Sequence, residues 1–323
     1  MNEEPIEPAL EENPPAVPAP DYPTPPSDSP PPAIVAGQPR HMVAIIATGV
    51  VLALLVVAVI GYGAAGQVFA SSRIASTRTT YIAVVAHQNA ITDEFNAFDK
   101  SVTGVNLTSA TAAQLNQTRA SYETLVSQSV AAQPTIAADD AALASAQARL
   151  NENSWLTLFA RSDLNKASAR MGHERKALAA AKTITGDLVQ LGTFYQAFYD
   201  VLIDLDNLNT KAQATDFTGS AAAVATLKTD IAKSIQLSSA PGLPPEMKVF
   251  LTDFQTLAAD FGKLLDAAIA GDISGASTYD KAVQADITTV YSHDLDKISN
   301  QIIAFYQPMI DTFNSEIAKA NSL

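Results

Sequence analysis

The chain has 323 residues, a formal net charge of −13 and no cysteine. Lack of cysteine excludes disulfides, thiolate metal sites and a cysteine nucleophile, and the acidic balance argues against nucleic acid, whose binding rests on Lys and Arg neutralising phosphates. Seven acids against Arg40 give residues 1–41 a charge of −6, which leaves −7 for the remainder.

Residues 1–41 contain 13 of the 18 prolines, including the run PTPPSDSPPP, and almost no large apolar side chain. Such a composition cannot bury enough surface to fold, so this acidic tail is predicted to be disordered with polyproline II character. It reads as a spacer, because composition alone sets no register for a partner.

Residues 42–65 are predicted to form a transmembrane helix and to make the lipid bilayer a partner of the chain. Met42 to Ile60 carries no charge, and the next charge after it is Arg73. About 20 apolar residues rising about 1.5 Å each cross a hydrocarbon core of about 30 Å. Arg40 on one side faces Arg73 and Arg78 on the other, so the positive-inside rule does not decide orientation. The Ala-, Thr- and Ser-rich, cysteine-free remainder is in keeping with an exported domain, giving a cytoplasmic N-terminus and an extracytoplasmic C-terminal domain. Val68-Phe69-Ala70 could pass as a cleavage site, but the long apolar run forty residues in reads as an uncleaved signal-anchor.

Residues 66–323 read as an all-α ectodomain, an elongated antiparallel bundle of five or six helices. Tyr81, Val84, Gln88, Ile91, Phe95, Phe98 and Val102 step by three and four along a first helix that Gly104 ends. Leu107 and Thr108 open a second, with Leu115, Tyr122, Leu125 and Val126 inward and a kink or restart expected at Pro134. Beyond it Ile136, Leu143 and Leu150 recur every seven residues, padded by alanine, and Leu164, Met171 and Leu178 answer them on the next helix. That helix continues through Ile184, Leu188, Leu191, Tyr195, Phe198, Leu202 and Leu205. A shorter one, opened by Asp216, Thr218 or Ser220, carries Val224, Leu227, Ile231 and Ile235. After the loop SSAPGLPPE, Pro245 is placed in the first turn of a helix with the seam Met247, Phe250, Phe254, Leu257, Phe261, Leu264 and Ala268, closed by Gly271. One final helix is expected, with Val283, Ile287, Val290, Asp294 or Leu295, Ile298, Ile302, Phe305, Met309 and Phe313 inward and a bend at Pro308. No stretch alternates as a strand would.

No enzyme motif is present: no G-x-S-x-G, no H-E-x-x-H, no phosphate loop and no Glu-x-x-His pair. No cofactor or metal is implied. His293, Asp294 and Asp296 splay around a helix and read as a solvated face, and Asp200 with Asp204, although on one face, read as facing water. Asn106 and Asn116 match the glycosylation pattern at chance frequency.

One local feature stands out. Between Arg149 and Lys182 seven basic residues oppose Glu152, Asp163 and Glu174, a net of +4 beside the only Trp. Trp155, Leu156, Leu158, Phe159, Arg161, Lys166 and Arg170 are therefore the candidate contact with a membrane surface or an anionic envelope polymer; the plain alternative is a helix exterior balanced by acidic neighbours. The resulting expectation is a membrane-anchored envelope scaffold or interaction module, not an enzyme, with a ligand-binding or sensory accessory module as the alternative. A ligand-binding protein should hold a pocket between helices where polar groups converge, and a scaffold should be packed throughout.

Overall fold

The structure is a computed structural model that describes residues 72–102, 110–151 and 161–323. The proline-rich tail, the predicted span over 42–65 and the Trp155 turn lie outside the described residues. Among the described residues no helix is long and apolar enough to cross a membrane.

Those residues form a helical bundle without strands: α1 (Ser72–Val102), α2 (Ala112–Asn151), α3 (Arg161–Gln213), α4 (Phe217–Leu237), α5 (Pro245–Ala270), α6 (Ile273–Tyr291) and α7 (Leu295–Asn321). The helix starts are written in short polar residues. Thr111 and Gln114 cap α2 reciprocally, Gln114 N–H donating to Thr111 Oγ1 and Thr111 N–H to Gln114 Oε1, so each satisfies a donor that the first turn leaves orphaned. Asp216, Asp272 and Asp294 accept from the N–H three residues on, at 2.8, 2.9 and 2.9 Å, and open α4, α6 and α7. Pro245 occupies the first turn of α5 and Gly271, at φ 72°, closes it in the left-handed region.

The 53-residue α3 is the longest element, and α2, α4 and α7 pack along it. α2 runs antiparallel to it: Tyr122 stacks on Tyr195 at 4.9 Å between ring centres, and much further along Arg175 Nε donates to Asp140 at 2.7 Å and Gln147 Nε2 to Ser168 O at 3.1 Å. α7 also lies along α3, with His173 Nδ1 2.7 Å from Glu316 Oε2. At about 1.5 Å per residue α3 is about 80 Å long, and it serves two cores. Its first half joins Ile74 and Val84 of α1, Ile136, Leu143 and Leu150 of α2 and its own Leu164, Met171 and Leu178. Its second half enters a cluster that also draws on the end of α1, the start of α2, α4, α5 and the start of α7, around Phe98, Tyr122, Phe194, Tyr195 and Phe198.

The expected seams are largely the buried ones, Phe198 and Phe254 included. The start expected at Leu107 or Thr108 lies outside the described residues, within which the Thr111 capping box opens α2 at Ala112. Three local expectations are corrected. α2 runs unbroken through Pro134, which lies exposed on its outer side. The final helix is two, α6 and α7, because Asp294 turns its side chain to the backbone of Lys297 instead of facing the core; this raises the described bundle to seven helices. Finally Leu205, Ala268 and Phe305 are exposed, and Tyr306 takes the buried place beside Phe305, its hydroxyl donating to Pro241 O at 3.0 Å.

Candidate functional site

A cluster of polar side chains lies inside the half of the bundle built by α1, α2 and the first part of α3. Tyr81 and Gln88 are seven residues apart, two turns of α1, on the face that also carries Val84. Asp139 comes from α2 and is 6% exposed; Glu174 comes from α3 and is 1% exposed. His87 Nδ1 donates to both oxygens of Asp139, at 3.0 and 3.2 Å. Glu174 differs: its Oε1 is buried with no hydrogen-bond partner, and so is Nε2 of Gln88. The Gln88 side chain nonetheless acts on Glu174 in the sense of a hydrogen bond, favouring its charged form.

The consequence is a carboxyl that resists ionisation. Burial, opposed by the Gln88 amide and reinforced by the negative Asp139, pushes Glu174 from its usual 4.5 up to about 7. Burial and the same Glu174 raise the Tyr81 phenol to about 12. The sign of the linkage follows. A carboxyl whose pKa is raised by folding adds most stability below about 4.5, where both states are protonated, and that stability is lost as pH climbs to about 7. At about 1.4 kcal/mol per unit the loss is about 3 kcal/mol. Glu174→Gln is therefore expected to flatten the fall in denaturation midpoint over this interval, and superimposable curves for parent and variant would assign the fall elsewhere.

α7 brings a second polar tie. Glu316 accepts from His173 and Lys319, which hold its carboxyl down to about 2, and Lys176 Nζ lies at 4.0 Å. Near the helix end Arg170 Nε donates to Ala320 O at 3.1 Å while its guanidinium lies 5.8 Å from the centre of the Tyr81 ring, and the Tyr81 hydroxyl reaches Asn321 Oδ1 at 3.3 Å. An arginine bonded to a terminal helix carbonyl satisfies an orphan acceptor and complements the dipole.

The predicted contact patch is thus divided. Trp155, Leu156, Leu158 and Phe159 lie outside the described residues, as does the side chain of Arg161. Lys166 is exposed. Arg170 is drawn into the joint of α1, α3 and α7, and Arg175 and Lys176 of the same basic run face Asp140 and Glu316. Asp200 and Asp204 do not simply face water. Asp200 accepts from Arg119 and lies 3.6 Å from Lys233, and burial together with Asp230 raises Asp204 to about 6. His293 Nε2 sits 2.7 Å from Asp253. Among the described residues no group of His, Asp and Glu is arranged to hold a metal ion.

Between α1, α2, α3 and α7 lies a cavity of about 30 Å³ bordered by Gln88, Phe95, Ile136, Leu178 and Phe313. That is room for about one water, far below the several hundred Å³ of a small-molecule site. No family model, curated protein or solved structure matches the chain.

The buried cluster escaped the sequence reading, although its signal is there. Glu174 stands at the three-four step between Met171 and Leu178, Asp139 at the step between Ile136 and Leu143, and Gln88 between Val84 and Ile91. Each occupies a seam position, and only Gln88 was read as inward. Three polar residues in core positions of three adjoining helices are a stronger signal than any one of them.

Proposed function

We propose that the chain is a membrane-tethered, extracytoplasmic helical bundle, anchored through residues 42–65, that acts by contact and not by catalysis. What supports this reading is a matter of level. Tyr81 and Arg170 meet, and each is nine residues beyond the start of its helix, Ser72 for α1 and Arg161 for α3. The two helices therefore begin at one end of the bundle, and α2 ends there too, since Leu150 and Leu164 share a core. A chain entering from an apolar run at 42–65 brings this end to the lipid. The connection from Asn151 to Arg161, with Trp155, Leu156, Leu158 and Phe159, is then at the depth aromatic side chains favour, with the exposed Lys166 placed to meet phosphates or an anionic polymer.

The test uses the only tryptophan. In full-length protein reconstituted in vesicles, brominated lipid should quench Trp155, and anionic lipid should strengthen the effect in a salt-sensitive way. Unquenched fluorescence in every vesicle would remove the contact. The cavity of about 30 Å³ gives a small-molecule role no support, and the larger recess of about 620 Å³ beside Lys228, Thr229, Lys233 and Gln255 lies open at the surface of α4 and α5. A sensory role is favoured by one observation, the sealed carboxyl of Glu174, and the species it would read is a proton.

A further inference from the structure

We propose that α1 is a proton-gated element, docked on the bundle while Glu174 is protonated and released when this carboxyl ionises at the α1–α2–α3 junction. The geometry supplies three reasons. First, Glu174 is poorly placed to carry a charge: it is 1% exposed and Oε1 lacks a partner, and only the Gln88 side chain favours the charged form. Second, among the described residues the nearby cations are engaged elsewhere. On its own helix Arg170 bonds Ala320 O and faces the Tyr81 ring, Arg175 holds Asp140, and His173 and Lys176 face Glu316. From α7, Lys319 also goes to Glu316. From α1 come Tyr81 and Gln88, and His87 is turned to Asp139 of α2, the one charge that bears on Glu174 and a repulsive one. Third, α1 is the helix least tied to its neighbours at this point. α2 and α3 pack along their length, whereas α1 lies on α2 and touches α3 sparsely. Its polar ties here are His87 to Asp139, the Tyr81 hydroxyl to Asn321 and the Tyr81 ring to Arg170. Ionisation is relieved most cheaply by letting water in beneath α1.

The proton-gated reading rests on the sensory role named above and not on the membrane tether, so Trp155 could fail to meet lipid while α1 still responds. The chain carries no native cysteine, so spin labels can be placed at will. With Ala90→Cys on α1 and Ala179→Cys on α3, both exposed, electron-electron distances are measured in full-length protein in detergent micelles. The expected result is one short distance near pH 5.5 and a growing longer population toward pH 8.5, the ratio of released to docked rising about thirtyfold for a pKa raised to about 7 and levelling off above it. Glu174→Gln should keep the short distance throughout. His87 bonds Asp139 at the same junction, so His87→Gln is the control, and it should leave the response in place. The proposal is overturned if the parent distribution does not change with pH, if Glu174→Gln opens as the parent does, or if His87→Gln abolishes the change. The parent titration needs no variant to fold, so each outcome decides.

Discussion

Phe194→Ala is expected to lower stability by about 3 to 5 kcal/mol, read as a drop in the midpoint of chemical denaturation at unchanged slope. Phe194 has 0% exposure at the centre of the larger core, its ring 5.4 Å from Tyr195 and 6.0 Å from Phe198. The surroundings are rings on rigid helices, which close poorly over a lost side chain, so the cavity remains. Tyr122→Phe is the informative companion. Tyr122 is likewise fully buried, between Phe98, Tyr195 and Tyr199, yet its hydroxyl has no hydrogen-bond partner. An unpaired buried hydroxyl costs about 1 to 3 kcal/mol, so its removal should be neutral or stabilising while the ring's packing survives. A loss of more than about 1 kcal/mol for Tyr122→Phe would mean that the hydroxyl is satisfied in solution.

Gly242→Ala should cost about 2 to 4 kcal/mol, and Gly271→Ala only about 1. Both glycines have positive φ, 83° and 72°, so the backbone penalty is shared. They differ in what a Cβ would meet. At Gly242 it would lie 2.7 Å from Cε2 of Tyr306 and 3.1 Å from Cδ1 of Phe305, whereas nothing lies within 4 Å at Gly271. Tyr306 cannot swing away, because it is 1% exposed and its hydroxyl bonds Pro241 O in the same loop. The difference between the two variants isolates the clash. Equal losses would show that the loop over Tyr306 is free to move.

What the sequence disclosed and what it hid have the same physical origin. Seams were legible wherever a large apolar residue recurred at three and four, as in Met247, Phe250 and Phe254, because burial rewards that spacing whichever helix lies opposite. It was the same habit of counting apolar residues that hid the polar ones. Glu174 and Asp139 hold seam positions, and a count of apolar residues passes over them. The break before α7 was missed because Val283, Val290, Leu295 and Ile298 keep nearly the same period across Ser292, His293 and Asp294. The capping role of Asp294 is a matter of one side-chain hydrogen bond and changes no periodicity. Phe305 and Tyr306 show a different limit: Phe194 and Tyr195 are neighbours that both face in, whereas of Phe305 and Tyr306 only the second is buried, its hydroxyl held by the Pro241 carbonyl on a loop some sixty residues away. No reading of local pattern contains that partner.

The contact between Tyr81 and Asn321 joins residues 240 positions apart, and it sets a timetable for the growing chain. α1, α2 and the first half of α3 can assemble as soon as they are made, but the face of α3 that carries Ala177 waits for Phe313 and Ile317 of α7. At about 5 to 20 residues per second, Tyr81 precedes its partner by roughly ten to fifty seconds of synthesis. During that interval the near end of the domain is an open three-helix trough with an apolar stripe on view, and any factor that shields nascent chains would find its binding site there. Completion of α7 closes the trough, so a ribosome stalled before residue 295 should leave a chain that is helical, incomplete and prone to aggregate.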